Sequence, residues 1–207
     1  MTSYLTIARE GNAETEVAGS RFRCRLVRVE DELSARAVIE QERKQNREAG
    51  HHCAAYLIGP GGQVERSLDD GEPPGTAGAP MLEVLRAEGL SDVVAVVTRW
   101  FGGALLGTGN LARAYAETVR AAVADAGTRE RVLNEVCEVS VEHTAVGRLE
   151  HELRARGTKI LGVEYADRAT LRLAVPPMAL ATAAEIVAEL TSGSAALVRI
   201  GQEWVDG

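Results

Sequence analysis

Two glycine-rich segments, separated by one short helix and one strand, constrain this chain more than any other feature. The first runs Asp69-Asp70-Gly71-Glu72-Pro73-Pro74-Gly75-Thr76-Ala77-Gly78-Ala79-Pro80, and the second Arg99-Trp100-Phe101-Gly102-Gly103-Ala104-Leu105-Leu106-Gly107-Thr108-Gly109-Asn110. A plain connection needs only a few residues, and segments this rich in Gly add no core while losing much backbone entropy on ordering. Their glycines point to backbone at positive φ or to close approach by another group, and costly ordered loops of this kind are where function concentrates.

The elements around them follow from periodicity. Arg21 to Val29 alternates, with Phe22, Cys24 and Leu26 on one face, and predicts a strand. A helix follows with Asp31 as N-cap; Arg43, Lys44 and Arg47 complement its C-terminal dipole, and Gly50 stops it. His52 to Ile58 and Gln63 to Leu68 predict a hairpin about the turn Gly59 to Gly62. Pro80 opens a helix over Met81 to Glu88, where its missing N–H costs nothing. Asp92 to Thr98 is almost continuously apolar, as in a strand covered on both faces. Leu111, Ala114, Tyr115, Thr118, Val119, Ala122 and Val123 then form one face of a long helix that Gly127 ends. Thr128 to Arg131 reads as a charged linker, which places a domain boundary between residues 1–130 and 131–207.

The second domain reads strand, helix, strand, strand, helix, strand. Leu133 to Glu142 alternates, and a helix carrying Val146, Leu149 and Leu153 follows. Ile160 to Tyr165 and Ala169 to Val175 are strands, Pro177 opens a helix with Ala183, Ile186, Val187 and Leu190 on one face, and Ala195 to Trp204 is the last strand. This βαββαβ order is that of a ferredoxin-like fold.

Three ordered blocks carry a resemblance: Asp69 to Pro80, Val96-Val97-Thr98-Arg99-Trp100-Phe101-Gly102-Gly103, and Leu111-Ala112-Arg113-Ala114-Tyr115. They resemble the signature of the IMPACT/YigZ family, over about residues 15 to 127, with a small C-terminal domain as in bacterial members. The resemblance implies an α+β protein of two domains. The first would be like domain 2 of ribosomal protein S5, and the second ferredoxin-like and similar to the C-terminal domains of elongation factor G. It implies no established reaction; eukaryotic relatives regulate translation through protein partners.

Charge and cysteine content narrow the function classes. The net charge is −7, divided −4 and −3 between the two predicted domains, so phosphate binding would rest on a local patch of cations and no DNA specificity is expected. Arg9, Glu10, Glu14 and Glu16 interrupt any apolar leader, and no segment has the roughly 18 apolar residues of a membrane span, so a cytoplasmic protein without a membrane partner is expected. Cys24, Cys53 and Cys137 are too scattered for a disulfide framework or a paired-cysteine zinc site and read as reduced thiols.

Each motif admits a structural and a functional reading. Asp69, Asp70 and Glu72 could hold a hard cation, but the spacing is not that of a calcium loop. Alternatively Asp70-Gly71 makes a turn while Asp69 caps N–H groups or pairs with Arg99. Gly75-Thr76-Ala77-Gly78 and Gly107-Thr108-Gly109-Asn110 each lead into a helix N-terminus, where unpaired N–H groups and the dipole favour anions, with Arg99 or Arg113 as counter-charge. The rival is packing of the two loops on each other, with Thr108 as an N-cap. Ala79 and Leu105 stand where many relatives are basic, which removes two charges from the phosphate-binding reading. Trp100-Phe101, beside Gly102-Gly103, either fills the core at a strand end or is presented to a partner. In His51-His52-Cys53 only His51 and Cys53 share a strand face, too few for a metal site, and a Cys in an apolar strand is a poor nucleophile.

The resulting expectation is a non-enzymatic, translation-related regulator that binds a protein or RNA partner of the translation apparatus, with no cofactor, metal or catalytic residue assigned. Its candidate anion- or partner-binding residues are Asp69, Asp70, Glu72, Gly75, Thr76, Gly78, Arg99, Trp100, Phe101, Gly102, Gly103, Thr108 and Arg113. The alternative is a phosphate-containing small-ligand binder or a Mg-dependent enzyme built on the same two loops.

Overall fold

The computed structural model describes residues 1–207 and divides into two compact units, Ser3–Glu130 with Met1, and Arg131–Gly207 with Thr2. Both mix helices with antiparallel strands.

In the first unit a five-stranded sheet carries everything else. Its strands are β2 (Gly11–Val17), β3 (Ser20–Arg28), β4 (His51–Ile58), β5 (Val64–Leu68) and β6 (Val93–Trp100), following a short β1 (Ser3–Ile7). The order is β2-β3-β6-β4-β5 with every pair antiparallel, so β6 lies in the middle. That position explains its unbroken apolar run: both faces of β6 are covered. On one face Val93, Ala95 and Val97 meet α2 (Gly78–Ala87) and α3 (Thr108–Ala126) through Met81, Leu85, Tyr115 and Val119. On the other, Val94 and Val96 meet α1 (Glu32–Gln45) through Ala35 and Ile39.

In the second unit β7 (Thr128–Val141), β9 (Ala169–Val175), β8 (Lys159–Tyr165) and β10 (Val198–Asp206) pair in the order β10-β7-β9-β8, all antiparallel. The helices α4 (Val146–Ala155) and α5 (Leu180–Leu190) pack Leu149, Leu153, Ile186 and Val187 onto Cys137, Val139, Leu171 and Leu173.

Several boundaries differ from the sequence expectation for identifiable reasons. Thr128 to Arg131 is not a linker but the start of β7, and the division between the units falls inside that strand. Its run of exposed polar side chains gives no apolar alternation, although Arg131 is fixed by its pairing with Asp206 of β10 and by a bond to the Trp204 carbonyl. Strands β1 and β2 are not among the elements expected from sequence: β1 is only five residues long, and β2 alternates only small or weakly apolar residues (Gly11, Ala13, Thr15, Val17) with polar ones, a faint strand signal. Helix α2 begins at Gly78 rather than Met81, so Pro80 lies inside the first turn, where its lack of an N–H still costs no intrahelical bond. The Asp31 cap is as expected, with its carboxylate accepting from the Ser34 N–H at 2.7 Å.

Candidate functional site

The acidic loop is built around its carboxylates. Asp69 accepts from the backbone N–H groups of Gly75, Ala77 and Gly78 at 2.8, 3.1 and 2.8 Å, and so occupies the N-terminus of α2. Burial would raise its pKa, but these three N–H bonds outweigh that and hold the carboxyl below its usual range. Gly78 is required there, because a Cβ would stand 2.5 Å from the Leu68 nitrogen. Thr76 closes the same turn by donating its hydroxyl to the Pro73 carbonyl at 2.6 Å. Asp70 adopts φ +46° and accepts from the His52 N–H and from Arg43, both at 2.7 Å, while the His51 ring nitrogen Nδ1 lies 2.9 Å from the Asp70 carbonyl oxygen.

This turn delivers Glu72 to the protein interior, where its Oε1 accepts from Arg99 Nη1 at 2.7 Å and from the Tyr115 hydroxyl at 2.7 Å. The partner of Arg99 is therefore Glu72, not Asp69. Asp69 is committed to the α2 N–H groups, and the Asp70-Gly71 turn leaves Glu72 as the inward-facing carboxylate. Arg99 is also bonded through Nη2 to Ser20 Oγ at 3.3 Å, and its guanidinium lies 5.4 Å from the Phe22 ring and 5.6 Å from the Phe101 ring. Its Nε is buried without a hydrogen-bond partner. Behind this pair, the Cys53 thiol lies 3.2 Å from the Tyr115 hydroxyl and 2.9 Å from the Asp69 carbonyl oxygen. Burial pushes the pKa of both Cys53 and Tyr115 upward, so the thiol stays protonated and unreactive.

The second loop is pinned at Gly102, where a Cβ would fall 1.9 Å from the Gly19 carbonyl carbon, and the Gly102 N–H donates to Ser20 Oγ at 3.2 Å. Beyond it Gly103 is exposed, and the apolar side chains are presented rather than packed: Phe101 is 56% exposed and Leu105 93%. The core reading of Phe101 is thereby replaced. Trp100 is half-buried at the end of β6, with Arg21 stacked 4.0 Å from its ring and its Nε1 donating to Glu48 at 3.2 Å. Thr108 is not an N-cap. Gly107 takes that position without a side-chain cap bond, and Thr108 is the first, exposed residue of α3. Arg113 is exposed one turn later and bonded only weakly, to Asn110 at 3.3 Å.

Between the two loops lies a cleft of about 380 Å³, lined by His51, Glu72, Pro73, Arg99, Phe101, Leu105, Leu106, Gly107, Thr108 and Leu111. The structure thus brings Glu72, Arg99, Phe101 and Thr108 into one site. Asp69, Gly75, Thr76 and Gly78 form the scaffold beneath it, and Arg113 and Trp100 do not line the cleft. Tyr115, Ser20 and His51 were missed as site residues. The available signal was a Tyr on the buried face of α3, since a buried hydroxyl requires a polar partner.

Residues 18–123 match the sequence pattern of the Impact N-terminal domain, and residues 139–194 that of a domain of unknown function, DUF1949. The chain belongs to the IMPACT family. It is 39% identical to the IMPACT family member YvyE of Bacillus subtilis over 92% of this chain and 88% of that one. It is 33% identical to the IMPACT family member YigZ of Escherichia coli over 97% and 99%. A solved structure described as the crystal structure of an hypothetical protein superimposes with a TM-score of 0.68 at 34% identity, covering 98% of this chain and all of the other. The cleft belongs to the Impact N-terminal domain, since every lining residue falls within 18–123. No helix is long and apolar enough to cross a membrane.

Proposed function

We propose that this IMPACT family chain is a non-enzymatic, translation-related regulator in the cytoplasm, and that it acts by binding a protein partner of the translation apparatus through the Phe101 to Leu106 loop and the cleft beside it. The observation that carries this reading is the exposure of Phe101 and Leu105 on a loop fixed at Gly102. Apolar side chains exposed together on an ordered loop beside a cleft mark a site of protein–protein contact. The link to translation comes from the family resemblance. Supporting it, the strand order β10-β7-β9-β8 with two helices is the arrangement expected of a ferredoxin-like domain, and the helix-covered antiparallel sheet of the first unit is compatible with an S5 domain 2-like fold.

RNA is less well matched. Arg23, Arg25 and Arg43 each pair with a carboxylate at 3.3 Å or less, so these cations are partly offset within the molecule. The test is co-sedimentation with ribosomal and translation-factor fractions of a bacterial lysate, with and without ribonuclease. The expected result is binding that survives ribonuclease and is lost in a Phe101→Glu, Leu105→Glu variant. Binding abolished by ribonuclease and retained by that variant would establish RNA as the partner instead.

A further inference from the structure

The cleft joins an apolar wall to a polar end, and the two together select a ligand class. The wall is Phe101, Leu105, Leu106 and Leu111. At the polar end stands Arg99, only 6% exposed. Its Nη1 is committed to Glu72 and its Nη2 holds Ser20 Oγ at 3.3 Å, while its buried Nε has no partner, so the guanidinium that lines the cleft carries one unused donor. The same cleft reaches Gly107 and Thr108 at the start of the 19-residue α3, whose first intrahelical bond runs from the Leu111 N–H to the Gly107 carbonyl and whose N-cap contributes no side-chain acceptor. The N–H groups before that bond and the positive end of the helix dipole add to the attraction for an anion.

Charge decides which anion. Glu72 offsets Arg99 within the site, leaving the helix terminus and the one unused guanidinium donor, a field suited to one negative charge rather than to a phosphate dianion. A monoanion joined to an apolar group fits both ends of the cleft. The volume, about 380 Å³, lies near the small end of ligand-binding cavities, and the exposed Leu105 at its mouth offers apolar surface that a ligand continuing outward would cover.

We infer that this cleft captures the C-terminal carboxylate of a peptide chain ending in an apolar residue, with Arg99 and the α3 N-terminus holding the carboxylate and Phe101, Leu105 and Leu106 holding the last side chain. This rests on the protein-partner reading and names the feature of the partner that is recognised. Arg99 and Glu72 are positioned by the Asp69-anchored loop, so the carboxylate end is preorganised before the ligand arrives.

The test is calorimetric titration of the full chain with acetylated tripeptides, N-acetyl-Gly-Gly-X with X Leu, Ile, Phe or Met, as free acids and as C-terminal amides. The expected result is binding of at least one free acid, with its amide at least about tenfold weaker because a charge-assisted hydrogen bond is lost. Leu105→Glu, at an exposed position that leaves the fold intact, should weaken the free acid by about tenfold or more through like-charge repulsion and loss of the apolar wall. Equal affinity for acid and amide, or no binding of any acid up to about 10 mM, overturns the inference. So does an N-acetyl amino acid that binds as tightly as the tripeptide, which would make this a site for small apolar acids, or inorganic phosphate binding more tightly than either. Should every peptide fail while wild type still co-sediments with translation proteins and Leu105→Glu does not, the protein-partner reading stands and only the carboxylate inference falls.

Discussion

Glu72 and Arg99 meet at 2.7 Å with their side chains 3% and 7% exposed, one from the acidic loop and one from the end of the central strand. A buried ion pair of this kind is costly to break on one side, since the remaining charge is left without a partner. Arg99→Met or Glu72→Gln alone should lower unfolding stability by about 3–5 kcal/mol. The double variant should be less destabilised than the two single losses added together, as read by urea unfolding in a double-mutant cycle. Additive losses would show that the two side chains do not act as a pair.

Tyr115 gives a milder probe of the same network. Its ring packs edge-on against Phe22 at 5.2 Å, and its hydroxyl donates to Glu72. Tyr115→Phe keeps the packing and removes the donor, so a loss of about 1.5–3 kcal/mol is expected, the range for a hydrogen bond to a charged group. The free-acid peptide should then bind more weakly, because Glu72 no longer holds Arg99 in a single position.

Asp69 ties stability to pH. Its carboxyl is held below the unfolded value of 3.8 by the Gly75, Ala77 and Gly78 N–H groups, which outweigh the opposing effect of burial. A depressed folded pKa gives stabilisation that is fully present above the unfolded value and is lost as pH falls through the folded one. Relative to Asp69→Asn, wild type should therefore be more stable by about 1–2 kcal/mol at neutral pH, with the advantage shrinking below about pH 4. Thermal unfolding of both proteins between neutral and acid pH measures this.

Much of the fold is legible in the sequence because its signals are local. The Asp31 cap, the hairpin about Gly59 to Gly62, the doubly covered β6 and the apolar face of α3 each follow from a few neighbouring residues. What escapes depends on tertiary placement. Strand β2 has Ala13 and Val17 half-buried among exposed polar residues and gains its place by pairing with β3. The pairing of Arg99 with Glu72 rather than Asp69 rests on which carboxylate the Asp70-Gly71 turn sends inward. Spacing cannot distinguish two acids three residues apart. Phe101 likewise gives no sign in sequence that the close contact of Gly102 with Gly19 ends the strand before its side chain can be covered.

Gly102 and Gly109 lie in the same segment and should respond to alanine with opposite signs. At Gly102 the added Cβ would meet the Gly19 backbone at 1.9 Å, and backbone cannot step aside as a flexible side chain does. Gly102→Ala should cost about 1–3 kcal/mol. It should also displace Phe101 and Leu105 and so weaken partner binding, although neither contact residue is changed. At Gly109, inside the first turn of α3, nothing lies within 4 Å of the added Cβ, so only the helix preference acts. Gly109→Ala should stabilise by roughly 0.5–1 kcal/mol, and because it keeps the backbone N–H and fixes the first turn of α3 it should not weaken partner binding as Gly102→Ala does. Paired denaturation and co-sedimentation of the two variants decide the point, and a Gly102→Ala protein with unchanged stability and binding would mean that the loop is not pinned at Gly19.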